Sequence, residues 1–121
     1  MSDPTDTPPL RPFLKWAGGK QRLLKKYTDF FPKKDTIGHY FEPFVGSAAV
    51  FFQLRPLPAT LADRNEKLIE VYRVVRDDVD ALIDALQPHR NEKAYYYRVR
   101  AQNPADLTPV ERAARFIYLN R

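Results

Sequence analysis

The stretch from Tyr40 to Asp63 constrains the fold more than any other part of the chain. Tyr40-Phe41-Glu42-Pro43-Phe44-Val45 is aromatic and β-branched, short enough for a buried strand, and it ends at Gly46, which opens a turn. Ser47 to Arg55 reads as a helix with small residues at its start, and Pro56 and Pro58 break the pattern. Ala59-Thr60-Leu61-Ala62-Asp63 is a second short strand that ends on a carboxylate. Strand, glycine turn, helix, strand and acid in that order make an α/β unit. The composition supports one such core: 121 residues, 44% of them hydrophobic, fill one domain of ordinary size and not two.

Flanking patterns extend this unit in both directions. Residues 1–12 carry Pro4, Pro8 and Pro9 among Ser, Thr and Asp, a composition that reads as a disordered tail. Order is expected from Phe13-Leu14-Lys15-Trp16 into Ala17-Gly18-Gly19-Lys20. From Lys20 to Phe31 the apolar positions Leu23, Leu24, Tyr27, Phe30 and Phe31 then recur at helical spacing until Pro32. After Asp63, Leu68, Val71, Tyr72 and Val75 trace one helical stripe and Val79, Leu82, Ile83 and Leu86 another, as two helices or one bent helix. A further helix is expected from about Glu92 to Gln102. The last runs from Pro109 through Val110, Ala113, Ala114 and Ile117 to Arg121. It meets no convincing glycine or asparagine stop, which leaves Phe116-Ile117-Tyr118-Leu119 open to a partner chain.

Several function classes drop out on residue supply. Cysteine is absent, so disulfides, thiolate zinc sites and cysteine nucleophiles are excluded, in keeping with a reducing compartment. Two histidines argue against a histidine-rich metal site or a Ser-His-Asp triad, and no metal ligands are assigned. No apolar run approaches the roughly 20 residues of a membrane span, and the amino terminus is not signal-like. A soluble, cytoplasmic protein without membrane contact is expected. A formal charge of +5 permits a polyanionic partner.

A Rossmann-like half binds a nucleoside with a glycine that lets the backbone approach and an acid that accepts ribose hydroxyls. Gly46 and Asp63 occupy those places at nearly the expected separation. The dinucleotide fingerprint fails, because the turn reads Gly46-Ser47-Ala48-Ala49. A P-loop around Gly18-Gly19-Lys20 fails as well, with Leu14 and Gln21 where glycine and Ser or Thr are required. What remains is a cation (Lys20), an aromatic plate (Trp16) and an acceptor (Asp63). S-adenosylmethionine asks for that set, through its α-carboxylate, its adenine and sulfonium, and its ribose diol.

Each of these residues also has a structural reading. Asp63-Arg64-Asn65-Glu66 fits a capping box with Asp63 at the N-cap, Lys20 could be a solvated lysine, and Trp16 a core residue. Glu42 either terminates its strand or stands at the ligand end of the sheet. Tyr95-Tyr96-Tyr97 with Arg98 and Arg100 suits stacking on nucleic acid or packing against neighbouring helices. Lys25, Lys26, Lys33 and Lys34 read as a solvated face.

Four blocks carry a family resemblance: Phe13-Leu14-Lys15-Trp16-Ala17-Gly18-Gly19-Lys20, Glu42-Pro43-Phe44-Val45-Gly46, Leu61-Ala62-Asp63-Arg64-Asn65 and Phe116-Ile117-Tyr118-Leu119-Asn120-Arg121. Together they resemble the amino-terminal half of the Dam-type (D12 class) DNA adenine-N6 methyltransferases. The resemblance implies a Rossmann-like α/β fold dependent on S-adenosylmethionine, truncated and followed by helices. Residues 13–76 would be the cofactor-binding part and 77–121 a helical segment leading toward target recognition. It implies cofactor contacts at Trp16, Lys20 and Asp63, with Phe44 and Gly46 in the family's F-x-G-x-G motif, whose second glycine is Ala48 here. The complete reaction would methylate adenine N6 in double-stranded DNA. The family's catalytic Asp-Pro-Pro-Tyr motif appears nowhere in the sequence, so no catalytic residue is assigned and this chain by itself is expected to be inactive. The alternative is a non-catalytic regulatory fragment that binds cofactor or DNA.

Overall fold

The computed structural model of the chain describes residues 10–15, 24, 26 and 28–120. Trp16, Lys20, most of the tail and most of the first expected helix lie outside the described residues. The chain divides after Ala62 into two compact units.

In the first unit, strand β1 (Tyr40–Glu42), helix α1 (Ala49–Leu54) and strand β2 (Ala59–Leu61) form a strand–helix–strand crossover. The strands run parallel, with Tyr40 opposite Ala59, Phe41 opposite Thr60 and Glu42 opposite Leu61. Both strands are shorter than their apolar runs. Pro43 has no N–H to donate and ends β1, although Val45 N–H rejoins the ladder by donating to the Ala62 carbonyl at 2.9 Å. Helix α1 is shorter than Ser47 to Arg55 because Ala48 and Arg55, at φ 61° and 50°, stand in the left-handed region at its two ends. Before β1, Leu24 and Lys26 are helical and a 3₁₀ turn, Thr28–Phe30, precedes Pro32. Leu14, Leu24, Val45, Ala48 and Ala49 are buried, and Phe13 meets Phe52 edge-on.

The second unit is helical: α2 (Glu66–Asp77), α3 (Val79–Leu86), α4 (Lys93–Arg100) and α5 (Pro109–Leu119). Asp78, at φ −138°, leaves helical geometry and separates α2 from α3, so the two stripes are two helices. Val71 and Val74 of α2, Leu82 of α3 and Ala113 and Ala114 of α5 form the core, with Val110, Phe116 and Ile117 packed against it. The small alanines let the helices approach closely. Part of the apolar face of α5 is therefore covered within its own unit, through Ala113 and Ala114, while Val110, Phe116 and Ile117 are partly buried. Helix α5 also stops where no stop was expected: the Asn120 N–H donates to the Phe116 and Ile117 carbonyls at 3.1 and 3.3 Å. At its start, Thr108 Oγ1 accepts from Glu111 N–H and Glu111 Oε1 accepts from Thr108 N–H, a complete capping box.

Two arginines of α5 anchor its polar side. Arg112 makes a two-pronged ion pair with Glu70 of α2, at 2.7 and 3.0 Å, and donates to the Leu107 carbonyl at 2.6 Å. Arg115 donates to the carbonyls of Val99 and Arg100 at the end of α4, both at 3.1 Å, where a cation suits the helix dipole.

Around Tyr118 the aromatics close ranks. The Tyr118 hydroxyl donates to the Arg90 carbonyl at 2.6 Å, its ring stacks on His89 at 4.8 Å, and Tyr95 and Tyr96 pack against it. The tyrosine run of α4 is thus largely packing, while Tyr97 is exposed. Burial holds the His89 imidazole below its ordinary value, so folding favours the neutral ring. The resulting stability is present above about pH 6.5 and is lost as pH falls through the lowered folded value. The thermal midpoint should drop between about pH 7 and pH 5.5, and His89→Phe should flatten that drop. Asp77 and Glu111, whose carboxyls are held low by Arg76 and Thr108, titrate in a more acid window. Equal slopes for the two proteins in melts followed by circular dichroism would refute the assignment to His89.

Candidate functional site

The turn between β1 and α1 is built from backbone geometry. Gly46 has φ 50°, a left-handed conformation that glycine adopts without strain, and two residues later Ala48 takes the same conformation at φ 61°, ψ 32°. Ala48 N–H donates to the Val45 carbonyl at 2.7 Å, and Val45 is itself tied to Ala62. Val45, Ser47 and Ala48 are buried, whereas the Phe44 ring projects with 65% of its surface exposed. The turn therefore holds its backbone by buried anchors and leaves an aromatic face accessible.

Ala48 carries strain that a glycine would not. A left-handed alanine costs about 1 kcal/mol, and burying its methyl group returns about 0.8 kcal/mol. Ala48→Gly should accordingly change stability by no more than about 0.5 kcal/mol. Ala48→Val, β-branched at a left-handed and enclosed position, should lose at least about 2 kcal/mol. Urea titrations of the two variants check this pair, and a valine variant as stable as the parent would contradict the geometry.

Glu42 closes β1 and its Oε2 accepts a 2.5 Å hydrogen bond from the Tyr40 hydroxyl two residues earlier, on the same side of the strand. Burial, that hydrogen bond and the adjacent carboxylate push the Tyr40 hydroxyl well above its ordinary value. On the opposite face from Tyr40 and Glu42, His39 stacks on Phe41 at 4.2 Å and its Nε2 meets Thr60 Oγ1 at 2.9 Å.

In the second unit, Asp63 is not the helix cap. Asn65 fills that place: its Oδ1 accepts from Lys67 N–H and Leu68 N–H at 3.1 and 3.2 Å, so α2 starts at Glu66 and the capping box read on Asp63 and Glu66 does not form. Asp63 instead accepts the Asn65 N–H on Oδ1 at 2.9 Å, which fixes the orientation of its carboxylate. Burial and then the Asp63 charge raise the Tyr72 hydroxyl well above its ordinary value, so Tyr72 stays protonated. Sequence reasoning missed both Asn65 and Tyr72 as neighbours of Asp63. The Asn65-x-x-Leu68 spacing was a cap signal, but Asp63 competed with it two positions away.

The structure thus describes Phe44, Gly46 and Asp63 among the expected site residues, each within its own unit, while Trp16 and Lys20 lie outside the described residues. Among the described residues no group of three or more His, Asp or Glu could hold a metal ion, and no helix is long and apolar enough to cross a membrane.

A family model for D12 class N6 adenine-specific DNA methyltransferases matches residues 16–121. The chain is 42% identical over 118 residues to a type II methyltransferase, M1.LlaDCHI, of Lactococcus lactis subsp. cremoris, covering 93% of this chain and 41% of the relative. It is 40% identical over 131 residues to the type II methyltransferase M.MjaIII of Methanocaldococcus jannaschii, covering 93% and 45%. It is 42% identical over 116 residues to a DNA adenine methylase of Haemophilus influenzae, covering 92% and 40%. The chain spans about two-fifths of the length of the curated relatives it matches.

Proposed function

Since the chain belongs to the D12 class of N6 adenine-specific DNA methyltransferases, we propose that it is the S-adenosylmethionine-binding part of such an enzyme. Residues 13–76 would form the cofactor-binding part in a Rossmann-like arrangement, and residues 77–121 the helices that lead toward target recognition. The observation that carries this reading is the crossover itself: parallel β1 and β2 joined through α1, with a left-handed Gly46 at the turn and Asp63 following β2 in the chain.

The residues fit the cofactor. An oriented carboxylate at Asp63 suits a ribose diol, the exposed Phe44 ring suits a flat base, and Gly46 lets backbone approach. Lys20 would pair with the α-carboxylate and Trp16 would offer its ring to adenine or sulfonium, as the family resemblance implies. Ala48 adds a methyl group where the family motif has a second glycine, which narrows the room beside the turn. When bound, the cofactor supplies an electrophilic methyl group. This chain's residues would hold and orient it.

Double-stranded DNA is the proposed partner of the complete enzyme, with adenine N6 as acceptor. The family clamps a flipped adenine with an Asp-Pro-Pro-Tyr motif, and no such motif is present here. We therefore expect binding without turnover by this chain alone. The same observation favours, as a second reading, a regulatory fragment that binds cofactor or DNA. S-adenosylmethionine at a hundredfold excess over its Kd should stabilise the folded chain by about 2.7 kcal/mol, read as a rise in melting temperature. No shift at millimolar cofactor would remove the site assignment. Radiolabelled methyl groups appearing in DNA incubated with the pure chain would remove the expectation of inactivity.

A further inference from the structure

Helix α4 carries more aromatic and basic surface than its packing uses. Tyr95 and Tyr96 pack against Tyr118, and Arg90 and Arg98 stand over the Tyr95 ring, each 5.5 Å from its centre. Tyr97 meets Tyr96 edge-on at 5.7 Å and is 52% exposed, so most of its ring has no packing role. Lys93, four residues before it, and Arg100, three after, are exposed as well. At that spacing the three side chains share one face of the helix, with a cation on either side of the ring. Beside them lies a pocket of about 310 Å³, lined by Asn91, Glu92, Lys93, Tyr96, Tyr97 and Tyr118.

We propose that the Lys93–Tyr97–Arg100 face of α4 is a binding site for an unpaired base of single-stranded DNA. Every base has a π-face on which an aromatic ring can stack, and inside a duplex that face is covered by the neighbouring bases. An exposed tyrosine ring therefore selects for a base that has left the stack. The two flanking cations supply the second half of such a site, an attraction for the strand's phosphates.

Size, polarity and spacing agree with that occupant. The pocket stands at the lower end of the range that holds a small ligand, which suits one nucleotide and no more. Asn91 brings to it an amide that can both donate to and accept from a base edge. Glu92 is the carboxylate in the lining, and Arg90 offsets its charge at 3.9 Å. Lys93 and Arg100 stand about 10 Å apart along the helix axis, and their long, flexible stems suit the phosphates on either side of one base. All these residues belong to the helical unit, and none is among those assigned to S-adenosylmethionine. The choice of DNA over RNA rests on the family reading; the stacking does not.

The test titrates the 121-residue chain, without S-adenosylmethionine, into a fluorescent oligothymidylate and into an abasic strand of the same length and charge, followed by anisotropy. Oligothymidylate should bind about tenfold more tightly, the worth of one stacked base. Tyr97→Ala should erase that preference while leaving binding to a duplex and the melting temperature unchanged, since the side chain is exposed. Tyr97→Phe keeps the ring and should keep the preference, which covers the case in which alanine disturbs the helix. Lys93→Gln and Arg100→Gln should each lower the slope of log affinity against log salt by about 0.7, one phosphate on a single strand. Equal binding of the two strands, an alanine variant that keeps the preference, or a loss on duplex as large as on single strand would overturn the proposal. So would an oligouridylate bound in preference to the oligothymidylate. Cofactor binding is scored separately by the melting shift of the chain alone, so failure there and failure here are different results.

Discussion

Asp63→Ala is expected to weaken S-adenosylmethionine binding by about 10- to 100-fold, the worth of hydrogen bonds to a charged acceptor. The melting shift produced by a fixed cofactor concentration should shrink accordingly. The variant also loses the bond from Asn65 N–H to Oδ1, which by itself costs about 1 kcal/mol of stability. Two companions separate these effects. Asp63→Asn keeps an oxygen for the Asn65 N–H and removes the charge, so it should fold like the parent and bind cofactor weakly. Asn65→Ala removes the cap of α2, costs about 1 kcal/mol and leaves the carboxylate in place. Calorimetric titration of all three decides the matter. If Asn65→Ala weakens the cofactor as much as Asp63→Ala does, Asp63 acts by starting α2 and not by touching the ligand.

Tyr118→Ala should cost about 3–5 kcal/mol, the range for removing a large buried aromatic. Tyr118 is 3% exposed, and its ring is the common neighbour of His89, Tyr95 and Tyr96. A helical unit this small has only a few kcal/mol in reserve, so the variant should unfold it at room temperature. Tyr118→Phe keeps the ring contacts and leaves the Arg90 carbonyl without the hydroxyl, at about 1–2 kcal/mol. Urea unfolding followed by helical circular dichroism measures both. Similar losses for alanine and phenylalanine would show that the hydroxyl matters and the stacking does not.

The helices were readable because they repeat their signal. Leu68, Val71 and Val75, then Leu82 and Leu86, then Val110, Ala113 and Ile117 state the same period several times, and each stripe is a face of the helical unit. Strand ends were not readable from apolar content, since Pro43 stops β1 while Val45 still reaches the ladder. The left-handed turn was readable at Gly46 and hidden at Ala48, because alanine's identity does not announce that conformation. Thr108-Pro109-Val110-Glu111 carries a capping-box spacing in the sequence as well as a first-turn proline. The Arg112–Glu70 pair joins residues far apart in the chain and needed the packed helices to bring them together. Among the candidate site residues, Gly46 and Asp63 were singled out by their order along the chain and Phe44 by the family resemblance. The nearness of Tyr72 to Asp63 and the Tyr40–Glu42 bond depend on the folded chain, and the cap signal at Asn65 was masked by Asp63 two positions away.

The arginines of α5 also bear on the proposed DNA partner. Affinity for a polyanion grows with the number of counterions that bound cations displace, at a salt slope of about 0.9 per phosphate neutralised. Arg112, already matched to Glu70, displaces none, and Arg115 has spent donors on main-chain carbonyls. The excess of 20 basic over 15 acidic residues therefore overstates the cations that α5 would have to offer a polyanion such as the proposed DNA partner.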